Sequence, residues 1–395
     1  MITGEDGGTT DDDSTTDDDS SDPDAYRGKT PVTQTHRITI DPIGREVDCR
    51  EDQTILDACL RAGVWVPHSC THGTCGTCKA EVVDGDVDHG EASSFALMDF
   101  ERDEGKLLLC TATPRGDVVV EADVDAEEGM PVHPVDDFDG TVVTVEDVAA
   151  DTRRVVVRLD RDLAFDAGQY LAWQIPTDLS GGRAGVTRTY SMANAPSCPR
   201  EVEFHIRRTP GGLCSDGWVF AGLSAGDRVG LTGPYGRFVV RMARTEPAVL
   251  IAGGTGLAPI AAMIKRVLLD EAAAQTPGPS HLYLYQGART RELLYDVELF
   301  TSLAQQFPDR FTYRPCLSEE TVEGYGAGMV PDVLAADHDS LAGHVAYLCG
   351  PPGMVEAAMK TLMSKRLFPR DIYREEFLDE SNRTSGGLRS PLIRR

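Results

Sequence analysis

Cys70, Cys75 and Cys78 stand in "SCTHGTCGTC" with C-x4-C-x2-C spacing, and Cys110 follows an apolar run further on. Four thiolates in this pattern suit a plant-type [2Fe–2S] cluster. Gly73 and Gly76 would let the backbone bend close, so that amide N–H groups point at sulfur and tune the potential. Other metal and thiol chemistries fit less well. A structural zinc site pairs two C-x2-C knuckles, and here Cys75 and Cys78 form one. A redox dithiol would leave Cys70 and Cys110 without a role. Cys70 and His72 supply the first half of a Rieske motif, but no C-x-x-H follows at a suitable distance. Cys49, Cys59, Cys198, Cys214 and Cys316 have no partner spacing and read as structural.

Three further strings carry chemistry. "RTYSMANAP" begins at Arg188, and "RRTPGGLCS" follows it. "IAGGTGLAP" places Gly253, Gly254, Thr255 and Gly256 at a strand-to-helix turn, where helix N-termini attract phosphate. It is not a strict G-x-G-x-x-G, so alone it is a weak signal. "YLCGPPGM" ends a later strand. Together these strings resemble the flavin and nicotinamide sites of the ferredoxin–NADP reductase superfamily.

That resemblance implies roles. Arg188 would hold the FAD pyrophosphate, Tyr190 pack on the isoalloxazine and Ser191 approach N5, with Thr189 among the contacts. Gly211, Gly212 and Ser215 would border the pyrophosphate, which needs a guanidinium and N–H donors. Cys349, Gly350 and Pro351 would lie at the nicotinamide ring. Phe377, in "YREEFLDE", would cover the flavin face, with Glu375 nearby. Ser191, Cys349, Glu375 and Phe377 form the candidate catalytic set. Blander readings remain open: Tyr190 as a barrel aromatic, Cys349 as a packing thiol, Phe377 as a core residue. Arg289 and Arg291 are placed to accept a 2′-phosphate, but the resembling reductases use NADH, and NADH is the expected donor.

These groups need elements to position them. "HRITI" alternates like a strand, and "TILDACLRAG" reads as a helix with Thr54 as N-cap and Gly63 as its stop. "CKAEVVDGDV", "GKLLLC" and "DVVVEADV" complete a β-grasp fold around the cysteine loop. Short strands from "GTVVTVEDV" to "DRVGLTGPYG" suggest an antiparallel β-barrel. From residue 244 strands alternate with helices, as in a doubly wound α/β domain. The expected organisation is an acidic leader at 1–34, a ferredoxin domain at 35–127 and a linker at 128–138. A flavin barrel at 139–243, a nicotinamide-binding α/β domain at 244–380 and a basic tail at 381–395 complete it.

Charge narrows the partners. The net charge is −26, of which residues 1–30 carry −8, residues 31–130 carry −13 and the remainder −5. Nucleic acid is an unsuitable partner, because phosphate contacts need clustered Lys and Arg. A basic protein surface suits better, and a solvated acidic surface of a high-salt or high-GC organism is the alternative reading. The acidic leader lacks the apolar residues needed to offset ordering entropy. No apolar run approaches a membrane span or a secretory signal, so a cytoplasmic protein without membrane contact is expected.

The order of ferredoxin, flavin barrel and nicotinamide domain resembles the reductases of bacterial multicomponent oxygenases. "HGTCGTCKAEVVDGDVDHGEASSFALMDFERDEGK", "EADVDA", "YLCGPPGM", "RLFPRDI" and "RSPLIRR" are similar to the reductase component of phenol hydroxylases, over residues 35–395. The resemblance implies electron flow from NADH to FAD to the [2Fe–2S] cluster and on to a diiron hydroxylase, docked at the acidic ferredoxin domain. Two alternatives share these motifs: the reductase of a Rieske ring-hydroxylating dioxygenase, and a non-catalytic iron–sulfur sensor or scaffold.

Overall fold

A computed structural model describes residues 34–68, 71, 73–124, 130–270 and 278–377. Cys70, His72, most of the expected leader and the basic tail lie outside the described residues. Among those described, no helix is long and apolar enough to cross a membrane.

The first unit contains β1 (Thr35–Asp41), β2 (Arg45–Arg50), α1 (Ile55–Arg61), β3 (Lys79–Asp84), β4 (Val87–Asp88), α2 (Asp99–Asp103), β5 (Lys106–Leu108), β6 (Thr113–Pro114) and β7 (Val118–Glu121). Its main sheet has the order β2-β1-β7-β3-β5, with β1 and β7 parallel and the other neighbours antiparallel. Thr54 Oγ1 accepts the Asp57 N–H and starts α1, while Gly63 at φ +68° follows its end. Helix α1 buries Ile55, Leu56, Ala58, Cys59 and Leu60 with Ile38, Ile40, Leu107 and Val120 of the sheet. This is the expected β-grasp.

The second unit consists of β8 (Asp136–Ala149), β9 (Thr152–Leu159), β10 (Tyr170–Gln174), β11 (Thr187–Ser191), β12 (Glu201–Arg207) and β13 (Arg228–Tyr235). Their order is β11-β10-β13-β8-β9-β12, and a bridge between Met192 and Phe204 draws the two ends together. Trp173, Phe204 and Leu231 are fully buried inside. The sequence places the end of a linker at residue 138, but the chain enters this sheet at Asp136. Val135 packs into the ferredoxin core and Phe138 into the barrel core, so burial of these two side chains orders the segment.

The third unit comprises β14 (Ala248–Gly253), α3 (Leu257–Leu268), β15 (Leu282–Ala288), α4 (Val297–Gln306), β16 (Phe311–Leu317), β17 (Gly326–Ala327), α5 (Val330–Asp337), β18 (Val345–Gly350), α6 (Pro352–Ser364) and β19 (Ile372–Glu376). The sheet runs β17-β16-β15-β14-β18-β19 and is wholly parallel. Helices α3 and α4 bury one face, and α5 and α6 the other. The strand order reverses between β14 and β18, the switch point at which such sheets bind ligands.

Candidate functional site

Two glycine-rich turns meet at this switch point. A Cβ at Gly256 would fall 2.2 Å from the Cys349 carbonyl oxygen, so α3 begins directly against the end of β18. A Cβ at Gly253 would fall 2.6 Å from Met354 Sδ and 3.1 Å from Pro351 Cδ. Gly253 and Gly256 on one turn therefore face Cys349, Pro351 and Met354 on the other, with Gly254, Thr255 and Gly350 between them. Glycine at these positions lets the two turns close to near backbone contact at the point where such sheets bind nucleotides.

Cys349 is fully buried, and burial pushes its thiol well above its ordinary pKa, with Glu375 adding to the effect. In the parallel register of β18 and β19, Cys349 pairs with Glu375. Glu375 reaches the barrel, where its Oε2 is 3.4 Å from Ser191 Oγ. Burial raises the Glu375 carboxyl to about 7, and the Ser191 contact opposes the rise. Phe377 packs half-buried against the core that contains Cys349, and its N–H donates to the Gly350 carbonyl at 3.2 Å.

On the barrel, Ser191 ends β11, where it pairs with Tyr170; Tyr190 pairs with Leu171 and Arg188 with Trp173. Tyr190 is half-buried, edge-on to Trp173 at 5.9 Å, and its hydroxyl meets the Cys214 thiol. That contact joins the "RTYS" strand to the "PGGLCS" loop. Within the loop, Ser215 Oγ accepts the Thr209 N–H at 3.1 Å, and the Gly211 N–H donates to Asp216 at 2.8 Å. The N–H groups of Leu213, Cys214 and Ser215 have no protein acceptor among the described residues. These three amides and the exposed Arg188 are donors suited to a pyrophosphate. The barrel also supplies a residue the sequence reading missed. Arg207 ends β12 exposed, and its Nη1 lies 3.5 Å from where a Gly254 Cβ would be. The basic pair in "RRTPGG" was its only signal. Arg289 is exposed, while Arg291 is exposed with its N–H bound to Glu320 at 2.8 Å.

In the ferredoxin unit, Cys78 and Cys110 are buried and Cys75 is half-buried. The Gly73 N–H donates to Cys110 Sγ at 3.3 Å, and the Thr77 N–H to Cys75 Sγ at 3.5 Å. Thr71, Gly73 and Gly76 have φ values of 56°, 76° and 71°, which curl the loop around the sulfurs. Among the described residues no three potential ligands converge as one metal ion requires. A two-iron cluster makes a different demand, because its thiolates bind in pairs on separate irons. Amides directed at two of the sulfurs fit such a cluster, with Cys70 outside the described residues.

The ferredoxin unit packs beside the barrel strands β10 and β13. Tyr235 of β13 stacks on Tyr170 at 5.7 Å and reaches the ferredoxin core. Arg237 lies over the Trp65 ring at 4.1 Å, Arg61 pairs with Asp137 at 3.0 Å, and the Val135 N–H donates to Leu60 at 3.1 Å.

Comparison with known proteins agrees with this architecture. A 2Fe-2S iron-sulfur cluster binding domain matches residues 38–115, an oxidoreductase FAD-binding domain residues 139–240, and an oxidoreductase NAD-binding domain residues 250–360. The chain is 44% identical to the phenol hydroxylase P5 protein of Acinetobacter pittii (strain PHEA-2), over 91% of this chain and 99% of that protein. It is also 44% identical to the reductase component of phenol 2-monooxygenase from Pseudomonas sp. (strain CF600), over 91% and 99%. The crystal structure of an Amycolatopsis cytochrome P450 reductase superposes with a TM-score of 0.76 at 43% identity, covering 87% of this chain and 99% of that one.

Proposed function

The chain belongs to the reductase components of phenol hydroxylases and related oxygenase systems, and from that premise we propose that it carries electrons from NADH through FAD and a [2Fe–2S] cluster to the diiron hydroxylase of a phenol hydroxylase-like monooxygenase. Bound FAD accepts electrons as a pair and releases them singly, the chemistry that joins a hydride donor to a one-electron cluster.

The protein's own residues bind, orient and shield. Arg188, Thr189, Tyr190 and Ser191 hold the flavin with the loop of Gly211, Gly212 and Ser215. Gly253, Gly254, Thr255 and Gly256, with Cys349, Gly350 and Pro351, receive the nicotinamide nucleotide, and Phe377 shields the meeting point from water. Cys70, Cys75, Cys78 and Cys110 hold the cluster. Ser191 and Glu375 form a polar link that would hold a proton where the barrel strand meets the nucleotide-binding sheet, while Cys349 stays a neutral thiol. The domain limits that accompany this reading are 35–127, 136–243 and 244–380.

One observation carries the proposal. The Ser191–Glu375 contact joins the flavin strand to the nicotinamide sheet, and Tyr170, paired with Ser191, leads through Tyr235 to the ferredoxin core. Entry and exit therefore flank one strand end.

The test is coupled turnover. Purified yellow-brown protein should reduce ferricyanide and cytochrome c with NADH and sustain phenol hydroxylation with a phenol hydroxylase oxygenase component. NADPH should serve less well. Colour without NADH turnover would sink the enzyme reading in favour of a sensor. A second reading rests on the 43% identity to the Amycolatopsis cytochrome P450 reductase. Turnover with a cytochrome P450 or a Rieske dioxygenase but not with the diiron component would establish a different oxygenase class.

A further inference from the structure

Ten large hydrophobic side chains are exposed among the described residues, and three of them, Phe95, Met98 and Phe100, fall within six positions of the ferredoxin unit. Phe95 is 92% exposed, Phe100 57% and Met98 47%. Such crowding of large apolar groups in water marks an interaction site rather than scattered surface residues.

The segment is held in place, so its exposure is built in. Leu97 is fully buried and Ala96 nearly so, the Leu97 and Ala96 N–H groups donate to the Ser93 carbonyl at 2.9 Å, and Glu101 caps the Met98 N–H at 2.9 Å. It also lies directly against the cysteine loop. The Ser93 N–H donates to the Gly73 carbonyl at 3.0 Å, and a Cβ at Gly76 would stand 3.5 Å from the Ala96 carbonyl. Gly73 is the residue whose N–H reaches Cys110 Sγ.

The barrel does not cover this patch. It meets the ferredoxin unit through Leu60, Trp65, Val135 and Tyr235. Glu91, Asp99 and Asp103 flank the apolar residues in the sequence, are exposed and have no ion pair among the described residues, while the intervening Arg102 is half-buried and donates to the Ala92 carbonyl at 3.2 Å. An apolar centre with a charged rim is the anatomy of a transient protein interface, and the sign of the rim specifies a basic partner.

We propose that Phe95, Met98 and Phe100 form the docking surface through which the cluster meets the oxygenase component, seating in an apolar depression of that protein ringed by Arg and Lys. The proposal rests on the oxygenase-reductase reading and deepens it by assigning the exit to one face. Electron transfer falls steeply with distance, and this face is continuous with the cysteine loop.

The experiment compares the wild-type holoprotein with Phe95→Ala/Phe100→Ala and with Phe95→Ser alone. A purified phenol hydroxylase oxygenase component is titrated in, and NADH-driven phenol hydroxylation is followed. The double variant should need at least tenfold more oxygenase component for half-maximal turnover, and the single variant several-fold more. Ferricyanide reduction, visible absorption and the paramagnetic resonance spectrum of the reduced cluster should match wild type. Asp99→Lys/Asp103→Lys should weaken docking and flatten its salt dependence. A wild-type half-maximal concentration in both phenylalanine variants would overturn the assignment alone. Failure of the wild-type protein itself to sustain hydroxylation would overturn the oxygenase reading, and the docking surface with it. A wild-type dimer that the double variant converts to monomer would overturn it in favour of a second copy of this chain.

Discussion

Ser191 Oγ lies 3.4 Å from Glu375 Oε2, joining the last residue of a barrel strand to the final strand of the nucleotide-binding sheet. Through the pairing of Glu375 with Cys349, the contact reaches the strand end beside both glycine turns. A carboxyl removed from water favours its neutral form, and here burial lifts it from 4.5 to about 7.

The pH dependence follows from that direction. With the folded pKa raised, the group's contribution to stability is complete below about pH 4.5 and is lost as pH rises through about 7. Glu375→Gln should remove this slope, so melting temperatures at pH 5 and pH 8 should differ less than in wild type. The same variant should lower kcat for NADH-dependent ferricyanide reduction by about tenfold or more, the scale of a positioned proton-holding group. It should also flatten the pH profile near 7. An unchanged profile would exclude Glu375 from the reaction.

Cys110→Ser should separate the two halves of the electron path. It removes a thiolate and the sulfur that accepts the Gly73 N–H. Cytochrome c reduction should disappear while most ferricyanide reduction, drawn from the flavin, persists. Equal loss of both would contradict the order of carriers.

Gly73→Ala tests the loop itself. Gly73 has φ +76°, and a Cβ there would meet Thr111 Cγ2 at 2.8 Å and the Ala92 Cα and Glu91 carbonyl at 3.2 Å. Backbone cannot yield as a flexible side chain does, so the change should cost roughly 1–3 kcal/mol. The variant should purify with its flavin absorption intact and its cluster absorption much reduced.

What could be read from the sequence depended on how local the signal was. The C-x4-C-x2-C spacing, the Thr54 cap and the Gly63 stop are short-range features, and each predicts its local structure. The parallel α/β pattern was legible because β14 and β18 are short apolar runs ending in glycine. "FTYRPCL", which forms β16, carries no clear strand signal: it contains Pro315 and polar residues, and its outer neighbour is only the two-residue β17. Val135 and Phe138 looked like linker because each buries itself in a different core. The Arg207 position beside Gly254 is a tertiary contact between β12 and the start of α3, and no spacing rule contains it. Exposure of Phe95 was likewise hidden, since Leu97 two residues later is buried and the pattern reads as ordinary amphipathicity.

Arg207→Ala should raise the KM for NADH while leaving kcat nearly unchanged. Its guanidinium stands beside the first glycine turn without an ion pair among the described residues. A charge-assisted bond to a phosphate contributes about 1.5–3 kcal/mol, so the rise should be roughly 10- to 100-fold. Steady-state kinetics with NADH varied checks it, and a fall in kcat with unchanged KM would contradict a purely binding role.

Glu203 should prove to be the clamp between barrel and nucleotide domain. Its carboxylate meets His205 Nε2 at 2.8 Å, Lys265 Nζ at 3.2 Å and Arg154 Nε at 3.3 Å, and Arg154 also pairs with Asp296. Tyr295 extends the network, its hydroxyl 3.2 Å from His205 Nδ1 and 3.4 Å from the Gly254 carbonyl. Burial pushes the Glu203 carboxyl up, but the bond to His205 and the charges of Lys265 and Arg154 outweigh it and hold the group at about 2. A depressed carboxyl contributes stability above about pH 4.5 that is lost as pH falls through 2. Glu203→Gln leaves two partly buried cations short of a partner and should cost about 2 kcal/mol at neutral pH, less than a fully buried pair would. Because Tyr295 ties the clamp to Gly254, the same variant should also raise the KM for NADH. Denaturant melts at pH 7 and pH 3 provide the check: the gap between the two proteins should be clearly narrower at pH 3 than at pH 7, closing only as pH falls through 2, and an equal gap at both would assign the loss to packing instead of charge.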